Sequence, residues 1–457
     1  MIESDKKPLP RPHVRVAVLE QGTRRSADLL CSIGTNIQFS TERLESYCLS
    51  AWEPVVFDAL LVAGAVEYCD RIQKRPALAW GRHFELTIAV HERDRWNDTA
   101  VAVPLADCLD FLMGDRWEIR FVNRRRPVPV PRQGHFQLPS GTTVVVPFSE
   151  GLDSRAVAEL MAREYGDRLI RVRLGTKAFD QPAVGAKQPF TSVPYRVRSD
   201  NRRLVETSAR SRGFKFAMVS GLAAYLAGAN QIVVPESGQG SLGPALVPVG
   251  HGYEDYRNHP FFTDRLEVFL HGLFGHRITF QFPRLWNTKG ETLAEAAADH
   301  ESPSPLDAWS CWQQSRQTSV NGRKRQCGIC AACMLRRLSV HAAHLNEPSE
   351  TYIWEDLGAN TFENGAAAGF NKITEAMREY AIAGTLHLDH LAALAGISTD
   401  QRPIRRTAFL LARSRGLSES LAAVRLERLL KQHATEWKNF VGSLGPDSFV
   451  RRWALAA

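Results

Sequence analysis

Within 23 residues the chain places four cysteines, Cys311, Cys327, Cys330 and Cys333. Two CxxC steps in Gln326-Cys327-Gly328-Ile329-Cys330-Ala331-Ala332-Cys333 set three thiols on one short turn, and Cys311 must return to them across 15 intervening residues. Four thiolates at one point form the ligand set of a closed, tetrahedral structural zinc site. An iron–sulfur cluster accepts the same four and is the rival reading. Cys31, Cys48, Cys69 and Cys108 are scattered through the first quarter and read as small buried hydrophobes. No apolar run approaches the roughly 20 residues a membrane span needs. The segment Met1–Pro8 lacks the apolar core of a secretion signal. The expectation is a cytoplasmic protein with no membrane partner, where reduced thiols favour a metal over disulfides.

A second feature sets the fold class. Thr143-Val144-Val145-Val146-Pro147-Phe148 is a β-branched run of the kind buried in a parallel sheet. It runs into a turn and a helix over Asp153–Tyr165. Further strands are expected at Leu169–Leu174, Val193–Val197, Ile232–Pro235 and Ile278–Phe282, with helices at Ala209–Ala227 and Phe262–Leu273 between them. Such alternation indicates an α/β fold, a parallel sheet with helices on both faces. Ligands of these sheets sit beyond the carboxyl ends of the strands. Before it, residues 1–135 mix strand-like runs (Val14–Leu19, Phe84–Val90, Trp117–Val122) with a helix at Phe57–Ile72 and read as an α+β accessory domain. A basic, Pro-rich stretch, Arg124–Pro131, closes it as a linker. Residues 136–345 form the α/β domain with the cysteines, and 346–457 a helical C-terminal subdomain.

Lys and Arg exceed Asp and Glu by 57 − 49 = 8 among 457 residues. A basic surface suits nucleotides, phosphates, RNA or an acidic protein, and is also compatible with a solvated face. No interleaving of aromatic with basic residues marks a nucleic-acid surface, so a nucleic-acid partner is not expected.

Directly after the first strand of the α/β domain stands Ser149-Glu150-Gly151-Leu152-Asp153-Ser154. A short polar turn between a buried strand and a helix start turns backbone N–H groups outward, and the helix dipole adds to their pull on an anion. Ser149 and Ser154 can add hydroxyls, Gly151 lets a ligand approach the backbone, and Asp153 can cap the helix or hold Mg²⁺ on phosphates. An ordinary capped turn has the same composition.

This hexapeptide resembles the SGGxDS signature of PP-loop ATP pyrophosphatases, with Glu150 standing where that family usually has glycine. The cysteine segment is more specific. Ser310-Cys311 followed by Cys-Gly-Ile-Cys-Ala-Ala-Cys-Met-Leu-Arg looks like the SC…CGxCxxCxxR zinc motif of the 7-cyano-7-deazaguanine synthase (QueC) family, with Arg336 on that motif's arginine. Between the motifs, Ser208-Ala209-Arg210-Ser211 is similar to the family's PxRN segment with Pro and Asn changed, and Thr288-Lys289 to its TK pair. The likeness covers about 141–345. The flanking domains make the arrangement similar to the QueC-like proteins of bacterial antiphage operons such as the Qat system.

The resemblance implies a Rossmann-like adenine nucleotide alpha hydrolase fold. It further implies an ATP-dependent C–N ligase that adenylates 7-carboxy-7-deazaguanine, releases pyrophosphate and passes the activated carboxyl to an amine. Ser149, Glu150, Gly151, Leu152, Asp153 and Ser154 would hold ATP with Mg²⁺. Asp153, Lys289 and Arg210 would be catalytic, and Cys311, Cys327, Cys330 and Cys333 would hold structural Zn²⁺. The implied partners are ATP, the deazapurine and a protein from the same operon. The acceptor amine is ammonia, giving an amide that a second adenylation takes to 7-cyano-7-deazaguanine, or an amine on that protein. A PP-loop enzyme modifying tRNA and a non-catalytic nucleotide-binding scaffold silenced by Glu150 are the alternatives. The Gly-rich run Glu236–Gly243 reads as a loop at the substrate end of the sheet, with His251, Tyr253 and Asp255 after it as candidate lining of a base pocket.

Overall fold

The computed structural model describes residues 11–23, 26–40, 44–47, 53–76, 79–127, 138, 141–149, 151–174, 189–199, 204–247, 252–298, 305–313, 318–396 and 402–455. Glu150, Cys48, His251 and the end of the Pro-rich stretch lie outside them. The chain divides into two compact units. Unit 1 comprises Met1–Pro147, Asp167–Val234 and Pro248–Gln281; unit 2 comprises Phe148–Gly166, Pro235–Val247 and Phe282–Ala457.

Unit 1 is α/β, its sheets mostly parallel and covered by helices on both sides. Strands β1 (His13–Glu20), β2 (Leu29–Ile33), β3 (Ile37–Phe39), β4 (His83–Val90), β5 (Arg116–Asn123) and β8 (Tyr195–Val197) form a six-stranded sheet in the order β5-β4-β1-β2-β3-β8. Strands β6 (Val144–Phe148), β7 (Leu169–Arg173), β9 (Gln231–Val233) and β10 (Thr279–Gln281) form a second sheet, β10-β9-β6-β7, in which β6, β9 and β10 run parallel. The three successive valines of β6 are all buried, as a strand covered on both faces requires.

Two expectations change here. The first 135 residues are not α+β: β1 to β5 pair in parallel throughout. The strand expected at Val193–Val197 does not join β6. It pairs antiparallel with β3, Ile37 opposite Val197 and Phe39 opposite Tyr195. Local pattern does not say which sheet edge a short strand joins. The choice rests on the Pro54–Ile72 helix beneath. Seventeen of its 19 residues are buried, and Gly64 leaves room there for Ile37 and Tyr195: a Cβ at that position would stand 2.9 Å from Ile37 Cγ2.

Unit 1 also encloses a charged network. Arg82, fully buried, bonds Asp115 through Nε (3.1 Å) and Nη2 (2.7 Å), and Asp70 through Nη2 (2.6 Å). Arg75 reaches the same two acids at 2.9 and 3.0 Å, and Asp70 Oδ2 accepts the Ser211 N–H. All four carboxylate oxygens are thereby bonded, which is the condition for keeping such charges in an interior.

Unit 2 is built from helices: Leu152–Tyr165, Gly238–Leu246, Lys289–Ala297, Ala331–Ala342, Glu375–Ala393, Arg402–Arg415, Glu419–Ser443 and Phe449–Leu455. The Gly-rich run expected as a loop is mostly the helix Gly238–Leu246, started by Ser237, whose side chain accepts from Gly240 N. Glycine serves packing here, since a Cβ on Gly238 would collide with Leu285 O and Leu429. A core cluster of the four cysteines with Trp354, Phe362, Met377, Trp437 and Phe449 ties the cysteine segment to the C-terminal helices.

Candidate functional site

Within unit 2 the polar turn is drawn tight. Ser149 Oγ lies 2.9 Å from Ser154 Oγ and accepts the Gly151 N–H at 3.2 Å. Gly151 caps the Leu152–Tyr165 helix with extended backbone angles and no side-chain cap bond of its own. Asp153 enters the first turn, where the helix dipole favours its charge.

Opposite Asp153 stands Lys289, the first residue of its own helix. A cation there opposes the dipole, costing about 0.3–1 kcal/mol. Asp153 answers it: Lys289 Nζ sits 2.5 Å from Asp153 Oδ2, the two side chains only 12% and 7% exposed. Burial works against the Lys289 charge, yet Asp153 and Glu236 outweigh it and hold the ammonium above the ordinary lysine range. Glu236 is the residue sequence reasoning missed as a site group. Burial first, then the charge of Asp153 and a hydrogen bond to it, push the Glu236 carboxyl well above the usual carboxylate range, with Lys289 acting the other way. Asp153 Oδ1 is buried and receives no N–H or hydroxyl donor among the described residues. Glu236 is the acid within hydrogen-bonding reach of Asp153. The site therefore gathers two carboxyl groups around one ammonium. The only sequence signal for Glu236 was its place one residue before a helix-capping serine.

The Lys289 turn is fixed by its neighbours. Thr288 and Glu291 form a capping box: Thr288 Oγ1 accepts Glu291 N (3.1 Å) and Glu291 Oε2 accepts Thr288 N (2.8 Å). Lys289 N–H donates to Gln239 Oε1 at 2.7 Å.

Arg210 belongs to unit 1. Its guanidinium pairs with Asp255 Oδ2 (2.6 Å), donates to Tyr253 O (2.7 Å) and lies 5.1 Å from the Trp80 ring centroid. Burial lowers its pKa from the ordinary arginine value. Against its own burial, Asp255 is held at about 2 by Arg257 and Arg210. Arg210, Tyr253 and Asp255 are therefore engaged with one another in unit 1, with the buried Arg210 Nε left without a hydrogen-bond partner among the described residues.

The four cysteines converge. Their Sγ atoms lie within 4.8 Å of one another, and none is in a disulfide. With metal–sulfur bonds of about 2.3 Å a regular tetrahedron has edges of about 3.8 Å; Cys327 and Cys333 stand 3.7 Å apart. Backbone N–H groups of Cys327 (to Cys311) and Cys330 (to Cys327) point at sulfur at 3.2 and 3.3 Å. Gly328, at φ +85°, makes the knuckle turn that a Cβ would strain. Arg336 serves this centre from a distance. Fully buried, it bonds Leu306 O, Ala308 O and Glu347 and so holds the segment leading to Cys311. The cluster could hold a metal ion such as zinc, and a zinc-sized tetrahedron fits it.

No described helix is long and apolar enough to cross a membrane. Compared with family models, with curated proteins and with solved structures, the chain matches none.

Proposed function

We propose that this chain is an ATP-dependent ligase that adenylates a deazaguanine carboxylate, 7-carboxy-7-deazaguanine, and couples it to an amine. The observation that carries the reading is the Asp153–Lys289 pair beside the serine-rich helix start, in one unit with a four-thiol metal centre.

A carboxylate is a poor electrophile, and adenylation converts one oxygen into a leaving group. The substrate oxygen attacks the α-phosphorus of ATP, the bond to the bridging oxygen breaks, and pyrophosphate leaves with the electron pair. The amine nitrogen then attacks the acyl carbon, the C–O bond to AMP breaks, and the amine gives up a proton. The residues' part is positioning and charge compensation. Ser149, Ser154 and the N–H groups of the first turn would hold the phosphates. Lys289 would exchange Asp153 for the departing pyrophosphate, a stronger anion. Mg²⁺ carried with ATP would neutralise phosphate charge, and Asp153 is the residue that would hold it. The reading leaves Arg210 aside. The acceptor is ammonia or an amine on a protein partner, as the resemblance to QueC-like proteins of antiphage operons implies.

The test is release of pyrophosphate and AMP from ATP by the purified chain, with and without 7-carboxy-7-deazaguanine, ammonia present. Release that depends on the deazapurine supports the reading. Deazapurine-independent release points to another acid, and no nucleotide binding at all overturns it.

A further inference from the structure

We infer that the C-terminal helix Glu419–Ser443 is a positioning element of the Asp153–Lys289 site: His433 and Glu436, on that helix, hold the Thr288–Lys289 turn in place. The inference rests on the proposed function for its catalytic meaning and on the hydrogen bonds for its geometry.

Two routes lead from the helix to the turn. In the first, His433 Nε2 meets Leu388 O at 2.9 Å, and His433 Nδ1 meets the Gln239 amide nitrogen at 2.7 Å. Gln239 Oε1 then accepts the Lys289 N–H at 2.7 Å. A carbonyl can only accept and an amide nitrogen can only donate, so His433 is neutral with its proton on Nε2, and Gln239 has one orientation. Lys289 N–H is one of the helix-start groups that has no partner within its own helix. In the second route, Thr288 Oγ1 donates to Glu436 Oε1 at 2.6 Å, and Gln432 donates to the same oxygen at 3.0 Å. Arg428, from the same helix, bonds Trp286 O at 2.8 Å and pairs with Glu291 of the capping box.

Apolar side chains would pack this interface at lower cost than a fully buried histidine and a nearly buried glutamate. The polar groups instead address the two residues, Thr288 and Lys289, that aim the ammonium at Asp153. There is little slack. A Cβ on Gly290 would stand 2.7 Å from Ala342 Cβ and 3.2 Å from Glu436 Oε1. Misplacing a reacting group by about 1 Å can cost 10²-fold in rate.

Three variants test this: Gln239→Leu cuts the first route, Glu436→Leu cuts the second, and Glu436→Gln keeps an acceptor of the same shape. The first readout is independent of turnover. Amines are modified with acetic anhydride and mapped by mass spectrometry, the rate at Lys289 being compared with that at Lys215. An ammonium held in its ion pair reacts slowly. Gln239→Leu and Glu436→Leu should raise the Lys289 rate by about three- to tenfold, the factor one net hydrogen bond is worth. Glu436→Gln should leave it near wild type, with metal content and thermal midpoint retained. The second readout is pyrophosphate release, where the same two variants should lower kcat by roughly ten- to a hundredfold with little change in KM for ATP. Wild-type Lys289 reactivity in folded Gln239→Leu, or a Glu436→Gln that behaves as Glu436→Leu, overturns the inference. Altered Lys289 reactivity in a chain inert toward ATP would uphold the positioning role and sink the proposed reaction.

Discussion

Each unit buries a cluster of acids and bases, and the two clusters are composed differently. In unit 1, Asp70 and Asp115 meet Arg75 and Arg82, two charges of each sign, with every carboxylate oxygen bonded. In unit 2, Asp153 and Glu236 share one cation, Lys289, which sits at the unfavourable end of its helix. The balanced cluster does what buried ion networks do in a scaffold. In the unbalanced one, burial and the charge of Asp153 push the Glu236 carboxyl well above the usual carboxylate range. An arrangement in want of a further cation or of an exchangeable anion is what a binding site offers and a scaffold avoids.

The comparison can be broken at several points. The largest effect is expected at the thiol centre, because a structural metal contributes directly to folding, on the order of 10 kcal/mol in small zinc domains. Chelation or Cys330→Ser should release about one metal ion per chain and remove hydrogen-exchange protection from residues 319–370. Protection in β4 and β5 should remain. Retained protection in 319–370 after metal loss would show that the thiols are not structural. Next, Asp115→Ala should destabilise by about 3–5 kcal/mol in urea unfolding, since it leaves two buried guanidinium groups, Arg75 and Arg82, on the single carboxylate of Asp70.

A third effect follows from His433. Burial lowers its pKa from 6.5 to about 4. A group depressed in the folded state takes up its proton first in the unfolded chain, so its contribution is complete above about pH 6.5 and is lost as pH falls toward 4. Between pH 7 and about pH 4.5 this amounts to about 2–3 kcal/mol. His433→Gln should flatten that part of the stability profile, and an unchanged profile would place the titration elsewhere. The smallest stability change is expected for Asp153→Asn, about 1 kcal/mol or less, because Glu236 remains to face Lys289. The same substitution should abolish pyrophosphate release. Were Asp153→Asn as damaging to stability as Asp115→Ala, the distinction between the two clusters would fall.

Much of the fold was legible because its signals are local. The strands β1, β4, β5 and β6 and the helix at Leu152–Tyr165 stand within a few residues of their expected limits, each marked by a buried β-branched run or a regular apolar spacing. The strand at Tyr195–Val197 was found but assigned to the wrong sheet, since pairing is decided between distant segments. The run Glu236–Gly243 misled because glycine signals looseness, while here Gly238 and Gly240 leave space for Leu285 O, Leu429 and the Glu236 side chain.

By itself the sequence determined what could be specified by spacing and by chemical type. Four cysteines within one short stretch meet because thiols joined by short loops have few other places to go, and a β-branched run feeding a polar turn makes strand, loop and helix start wherever it lies. Only the tertiary structure decided what depends on partners far along the chain. Gln239 meets His433 across 194 positions and Thr288 meets Glu436 across 148, and no local pattern encodes either. Only the fold puts Glu236 beside Asp153, and a carboxyl group's protonation is set by what surrounds it in space.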